Sequence, residues 1–493
     1  MMPRLWLDSQ AATSAAVLLG LATLLFAISL YRRWQRLAHI PGPLLASLTN
    51  FWAAIKIWRG EMYHEFIQDL HAKYGPVVRF GPNRVSFSQP EAVAEIYGTN
   101  HVYPKAASYG PMIVLANGQE IASIITLRDE KRVSEVKRHI SAGFSHSTWL
   151  QQEDQINSTI NILLEQLSSR AGTTVPLNTW LSFWSFDTLT NLAFSDTRGF
   201  LESGKDLDSI FPSSRARFAH WRTWSALPWL ETLLYKNKYA QTSQKTSNPL
   251  ATLAMQRIKE RKSGEKNATG RDLLGRYLAA SQQAPDVIAP KDVLALTIST
   301  IHAGSETTAL FSSFLLTHLL KEHQVLAKLE DELQNASVAV PPAFNEIDKL
   351  PYLDAVIHEG LRLQTNPNCT ERTVSPHNAD ICGTVIPAGT DVSISEVLTA
   401  RDKTLYGSDA ESFRPERWLD VDKARKAEMI RAAFAFAYGR RVCTGQHLAM
   451  IEVKKLIASL IISFKFKPVD VGMRGYDGAL RLIKLDVRLT PKN

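Results

Sequence analysis

The chain has 493 residues, and a hydrophobic content of 45% against 21% charged residues argues against a mostly disordered protein. Its three cysteines, Cys369, Cys382 and Cys443, form no C-x-x-C pair, which argues against a disulfide framework or a zinc site and suits a reducing compartment. A formal charge of +8 favours an anionic membrane surface or an acidic protein donor over nucleic acid, for which no motif is present.

Residues 9–31 carry no charge, and 11–30 are rich in Leu, Ala, Val and Ile. A helix of that length spans about 30 Å, the thickness of a bilayer core. Arg32, Arg33 and Arg36 follow at once, whereas Arg4 and Asp8 cancel before it. The positive-inside rule then puts 1–10 in the lumen, a transmembrane anchor at 11–31 and the bulk of the chain in the cytosol. A cleaved secretory signal is the competing reading, disfavoured by the long apolar run and the cysteine usage. Residues 32–45, with Pro41 and Pro43, read as a basic, proline-rich hinge. No strong linker follows, so 46–493 is expected to form one catalytic domain. The acceptor triplets at Asn157, Asn267 and Asn368 are then expected to stay unglycosylated, because they never enter the lumen.

Val77-Val78-Arg79-Phe80 and Arg84-Val85-Ser86-Phe87 flank Gly81-Pro82-Asn83, a hairpin signal. Segments 160–167, 183–194 and 250–258 have helical periodicity, and 259–270 reads as a surface loop. Residues 293–320 form a long apolar pattern expected as a central, buried helix. Residues 335–345 read as a connection, and strand-like pieces return at 384–386, 392–394 and 480–489.

The central helix contains Ala303-Gly304-Ser305-Glu306-Thr307-Thr308. A glycine and an acid inside an apolar helix are costly and need a reason. Gly304 could open a groove for dioxygen, Thr307 could bond to a carbonyl one turn earlier or to a water, and Glu306 could feed protons to that water. The bland alternative is a solvent-facing Glu and a helix kink. His302, next to this run, is assigned to packed core. Farther on, Glu359 and Arg362 sit three apart and share a helix face, where an ordinary surface pair contributes ~0–1 kcal/mol.

The most informative stretch is Phe436-Ala437-Tyr438-Gly439-Arg440-Arg441-Val442-Cys443-Thr444-Gly445. A helical pattern begins at Gln446, so free N–H groups and the helix dipole would favour a Cys443 thiolate. Gly439 permits a tight turn and Gly445 a close approach of backbone to a cofactor. Arg441 offers a fork of donors to a carboxylate, and Phe436 could keep water from the sulfur. A lone thiolate so placed suits a metal ligand, with haem iron favoured over an inert buried cysteine.

This F-x-x-G-x-R-x-C-x-G loop resembles the haem-binding loop of the cytochrome P450 family, the haem-thiolate monooxygenases. The resemblance extends from Pro41 onward and includes Ala303–Thr308 as the oxygen-activation motif. Glu359 and Arg362 match the E-x-x-R pair, and Arg417, in Phe413-Arg414-Pro415-Glu416-Arg417-Trp418, matches the arginine that joins it. It implies a mainly α fold with small β-sheets and a b-type haem ligated by Cys443. Glu306 and Thr307 would deliver protons, while Arg372 and Arg441 would bind propionates. The family's third-helix Trp or His and its Arg fall on Val133 and Lys137, a departure that leaves only Lys137 as a point-charge contact. Arg132 and Arg138 read equally as a solvated face or as part of a reductase-docking surface.

The resemblance further implies electrons from NADPH through a separate NADPH-cytochrome P450 reductase, an endoplasmic reticulum location, a monomer and a small apolar substrate. Within the family, 73–109 and Thr370-Glu371-Arg372-Thr373 look like fungal enzymes related to pisatin demethylase. That suggests hydroxylation, epoxidation or O-dealkylation in specialised metabolism, or detoxification of plant or xenobiotic compounds. An oxygen-independent isomerase or dehydratase and a non-catalytic haem sensor or carrier are the rivals. Residues 104–121, 199–230 and 474–480 are expected to line the substrate cavity.

Overall fold

The computed structural model describes residues 3–116, 119–239, 248–264, 271–364, 370–477 and 480–492. Cys369 and two of the acceptor asparagines, Asn267 and Asn368, lie outside them.

The first helix, α1, runs Pro3–Arg36, and its segment Ala16–Arg36 is long and apolar enough to cross a membrane. The helix continues through Arg32, Arg33 and Arg36 rather than giving way to a hinge there. Arginine is a good helix former, and basic residues suit a helix C-terminus. The end of α1 is also tied to the body. Arg79, almost wholly buried, donates to the carbonyls of Trp34 at 2.8 Å and Arg33 at 3.3 Å. Gly42 is needed beside this contact, since a Cβ there would lie 2.0 Å from the Arg79 carbonyl oxygen.

Arg79 belongs to β1 (Val77–Gly81), which pairs antiparallel with β2 (Arg84–Phe87) around the expected turn. Helix α2 spans Glu130–Ile140, capped by the Asp129 carboxylate, which accepts from the N–H groups of Lys131 and Arg132. A short strand β3 (Thr174–Pro176) leads into α3 (Leu177–Phe194), a helix apolar all round and buried on most of its surface. Helix α4 covers Ile210–Trp224 and α5 Pro249–Ser263. The α5 helix thus absorbs the first part of the segment read as a loop. Lys and Arg, polar but good helix formers, extend it for another turn.

The central helix α6 (Pro290–Lys321) crosses α3 at its middle. Gly304 serves that crossing: a Cβ there would sit 2.7 Å from Leu189 Cδ2 of α3. The groove imagined for dioxygen at Gly304 is therefore filled by a helix contact. Ser185 of α3 locks the crossing by donating to the Ser305 carbonyl at 2.9 Å. Helix α7 (Pro351–Leu363) follows, then β4 (Arg372–Thr373) and β5 (Asp391–Ile394). These complete a four-stranded sheet of order β1-β2-β5-β4, with β2 and β5 parallel and Val85 opposite Val392. The last helix, α8 (Gln446–Ser463), runs into β6 (Phe464–Asp477), which pairs with β7 (Leu480–Pro491) and through it with β3. Strand β6 opens on the alternation Phe464-Lys465-Phe466-Lys467, with Phe464 buried and both lysines exposed. The large core lies where α3, α6, α7 and α8 meet.

Candidate functional site: a cysteine loop beneath the central helix

The loop before α8 is closed on itself. The Cys443 N–H donates to the Phe436 carbonyl at 2.8 Å, and Ala437 and Gly439 take positive φ angles of 60° and 65°. Gly439 is obligatory on two grounds, because a Cβ there would also meet the Tyr97 carbonyl oxygen at 2.0 Å. Phe436 is half-buried. Lys137, reaching across from α2, donates to the carbonyls of Arg440 at 2.9 Å and Val442 at 3.2 Å. It clamps the loop backbone, whereas the sequence suggests a propionate contact. Val133 is buried core on the same helix.

Cys443 lies deep in the fold, yet its sulfur is accessible. Burial pushes the thiol up, while the N–H groups of Gly445 and Gln446 and the charge of Lys137 pull the other way. A Cβ on Gly445 would have Cys443 Sγ, 3.9 Å away, as its one near neighbour among the described residues, so the space beside the sulfur is open.

A cluster of cations surrounds this region. Arg441 donates from Nε to both Glu130 carboxylate oxygens at 3.0 Å, and to the carbonyls of Ile124 at 2.9 Å and Leu127 at 2.8 Å. Its fork is thus held by α2 and the segment before it. Arg372 is buried, bonds the carbonyls of Thr370 and Glu371, and lies over the Tyr97 ring at 5.0 Å. Arg372, Arg441 and Glu130 line one cleft. Lys105 donates to the Ile125 carbonyl at 2.7 Å and sits over Tyr109. Burial first, then the charges of Arg372 and Arg441, depress the Lys105 ammonium strongly. Sequence reasoning missed Lys105 and Glu130, which no motif marks. Four basic side chains, Lys105, Lys137, Arg372 and Arg441, gather around the Glu130 carboxylate, a surplus of base that suits an acidic group such as a haem with two propionates. The accessible thiol, the open space beside it and these cations together fit a haem.

On α6, Thr307 Oγ1 donates to the Ala303 carbonyl at 2.7 Å, the bond one turn back that the sequence suggests. Glu306, the next residue, lines a cavity on the other side, and its Oε1 is buried without a hydrogen-bond partner. Burial raises its carboxyl above the usual range, and the Ser214 hydroxyl beside it opposes the shift. The cavity walls include Met112, Ile121, Phe186, Ile210 and Ile298, with Ser214, Arg217 and His302 among the polar residues. Two of the three expected segments contribute to this lining, and none of the described residues of 474–480 does. His302 is buried and stacked on Phe218 at 4.7 Å, as a core histidine would be, and it also lines the cavity.

Glu359, Arg362 and Arg417 converge beneath, on α7 and the turn Pro415–Trp418. Arg362 makes a two-pronged contact with Glu359, Nε to Oε2 at 2.8 Å and Nη2 to Oε1 at 2.7 Å. Arg417 Nε adds a bond at 2.9 Å, Trp418 Nε1 another at 2.9 Å, and the Arg414 N–H a third at 2.8 Å. Burial alone would raise Glu359, but these arginines hold its carboxyl below the usual range. Arg362 in turn donates to the carbonyls of Ala400, Ala410 and Ser412, which fixes the approach to the cysteine loop.

One further acid is fully buried. Glu452 on α8 accepts from Thr308 at 3.4 Å, and burial pushes its carboxyl up to about 8. The folded state therefore holds a proton that the unfolded chain releases near its ordinary value. This contribution to stability is complete below the unfolded pKa, declines as pH rises, and is lost above about 8. Glu452→Gln should remove a slope of roughly 1 kcal/mol per pH unit across the intervening range. Thermal midpoints of wild type and variant, measured from pH 5 to 8, should converge at the acid end; parallel profiles would refute this.

The Cytochrome P450 family model matches residues 41–477. A cytochrome P450 monooxygenase of Aspergillus terreus is 34% identical over 469 residues, covering 92% of this chain and 94% of its own. The cytochrome P450 monooxygenase cicH of Emericella nidulans is 32% identical, covering 91% of this chain and 93% of its own. The monooxygenase mpaDE' of Penicillium brevicompactum is also 32% identical over 92% of this chain, which spans only 55% of that longer protein. A cysteine loop that fits a haem, a central helix with its acid and threonine, and a match across most of the chain have one consequence: this protein belongs to the cytochrome P450 family of haem-thiolate monooxygenases.

Proposed function

We propose that the protein inserts one atom of dioxygen into a small molecule with a largely apolar body, by hydroxylation, epoxidation or O-dealkylation. The observation that carries this reading is the pairing on α6 of a cavity-lining acid, Glu306, with Thr307 next to it in the helix. Cys443 would hold the haem, which would supply dioxygen activation when bound. Arg372 and Arg441 would hold its propionates, Lys137 steadies the loop, and Phe436, Gly439 and Gly445 would shape the face around the sulfur. Glu306, with its raised carboxyl, carries a proton at neutral pH more readily than an exposed acid does. Thr307 Oγ is the hydroxyl that passes it on.

Electrons come from NADPH through a separate membrane-bound flavoprotein reductase. The α1 segment anchors the chain in the endoplasmic reticulum membrane with residues 46–493 in the cytosol. The fungal origin of the similar monooxygenases supports a role in fungal secondary metabolism. Thr307→Ala tests the proton path. It should leave haem content unchanged and divert most NADPH consumption to hydrogen peroxide, measured as product formed per NADPH. Fully coupled turnover would remove Thr307 from the mechanism.

A further inference from the structure

Arg79 does more than touch the end of α1. Besides the carbonyls of Trp34 and Arg33, its buried guanidinium donates to those of Gly81 at 3.2 Å, Ser47 at 3.3 Å and Pro82 at 2.7 Å. A cation suits the carbonyl end of a helix, and one planar group bonded to α1 on one side and to the body on the other leaves little room to pivot. Arg36 adds a bond to the Ala388 carbonyl at 2.7 Å. A helix that crosses a bilayer and is socketed in this way fixes which face of the body looks back at the lipid.

An outward apolar face starts at Leu44, which lies at most about 30 Å from the end of α1 even along a fully extended chain. Exposed apolar residues recur at Leu48, Phe51, Ile55 and Trp58, alternately four and three apart, through the helices Leu44–Leu48 and Phe51–Trp58. That is the period of one helix face, yet the small residues Ala46, Ala53 and Ala54 are the ones packed inside. The helix Pro228–Tyr235 is inverted in the same way. Its acid, Glu231, is buried and paired with His220 at 3.1 Å and Lys236 at 3.0 Å, while Trp229 and Leu233 are 58% and 60% exposed. Aromatic contacts join the two patches: Trp58 meets Trp224 at 5.9 Å, and Trp224 meets Tyr235 at 5.4 Å. The Trp58 indole N–H is already satisfied by the Thr223 carbonyl at 3.0 Å. Single apolar residues on a surface are ordinary, but neighbouring helices that bury alanine or an acid and expose Leu, Ile and Trp are not.

Water is the wrong solvent for such a face, and a bilayer is the right one. Its apolar depth takes Leu, Phe and Ile, its interface favours Trp, and the exposed Arg32, Arg33 and Arg36 at the end of α1 suit acidic headgroups. We propose that the body is mounted on the bilayer at two points, the Arg79 socket on α1 and this second apolar face, which together give it one fixed orientation. This rests on the reading of α1 as a membrane anchor. The socket restrains the direction of the anchor, and the face restrains rotation of the body about it, so either alone holds the body near the lipid and only both together orient it fully.

The test uses full-length holoprotein, one chain per nanodisc, in phosphatidylcholine and phosphatidylserine that carry a photoactivatable diazirine in the acyl chain. Labelled peptides are mapped by mass spectrometry. Wild type should be labelled in α1, in 44–58 and in 229–235. Leu48→Ser, Ile55→Ser and Leu233→Ser together should lower label in the two body segments at least about tenfold and leave α1 unchanged, because insertion scales with buried apolar area. Orientation is read separately, from the polarised absorption of the haem on stacked bilayers of the same lipids. The triple variant and Arg79→Gln should each keep a dichroic signal, and the two combined should lose it. The carbon monoxide spectrum checks the fold of each preparation. If Arg79→Gln loses its normal band, a Gly-Ser insertion between Tyr31 and Arg32 replaces it, since this breaks the strut outside the socket and keeps Arg79. Label confined to α1 would give the face to another protein and overturn the proposal, as would full dichroism in the combined variant. Absence of label from α1 itself would instead sink the anchor reading.

Discussion

Replacing Cys443 by alanine should abolish the thiolate-type carbon monoxide spectrum of the reduced protein and its oxygenase activity together. The side chain is the one accessible sulfur in a loop built to present it. Two N–H groups at the start of α8 and the Lys137 ammonium face it, and Gly445 leaves the space beside it clear. Each of these favours the anion, and together they oppose the burial that favours the thiol. Alanine keeps the loop backbone, whose closing bond to Phe436 uses the N–H and not the side chain. The variant should therefore fold, and any haem it retains should lack the thiolate signature. A retained thiolate-type spectrum would mean that another residue ligates the iron. The other described cysteine, Cys382, is a poor substitute, because burial first and then Glu95 and Glu91 push its thiol up to about 12.

The second large effect is structural. Glu359→Gln should cost about 3–5 kcal/mol and prevent accumulation of haem-loaded protein, because it strands two buried guanidinium groups. Glu359 and Arg362 are fully buried and Arg417 nearly so, and five hydrogen bonds converge on the one carboxylate. The amide can accept only some of these and carries no charge. Haem content per mole of protein and thermal midpoint are the measurements. Wild-type haem loading with a stability loss under about 1 kcal/mol would make the network an ordinary surface-like pair. Thr307→Ala is the natural comparison, since among the described residues the Thr307 hydroxyl bonds within its own helix. The two variants should separate a failure of folding from a failure of coupling.

Much of the site could be read from local spacing. A spacing of three from Glu359 to Arg362 places them on one helix face, and they meet there. A spacing of four from Ala303 to Thr307 allows the hydroxyl to reach the carbonyl, and it does. A cysteine three residues before the first residue of α8 faces free N–H groups, as a helix N-terminus requires. Each of these depends on the geometry of one element. Gly304 shows the limit. Its sequence context suggests a groove, but its reason is the approach of Leu189 from α3, a residue far away in the chain.

The partners of the charged side chains follow the same division. Arg441 was readable as a donor, but not that Glu130 of α2 would accept from it. Lys137 was readable as a cation near the loop, but not that it would clamp two loop carbonyls. His302 was readable as core, but not that it would also line a cavity, since that depends on where α4 lays Phe218 and Arg217 against α6.

The sequence by itself determined the family, the cysteine loop and the helix that carries the acid and the threonine, because short motifs act through the fixed geometry of one turn or one helix. Only the tertiary structure decided which groups Arg441, Lys137 and Gly304 meet, since each of those contacts joins elements from distant parts of the chain. No single stretch of sequence carries both sides of such a contact.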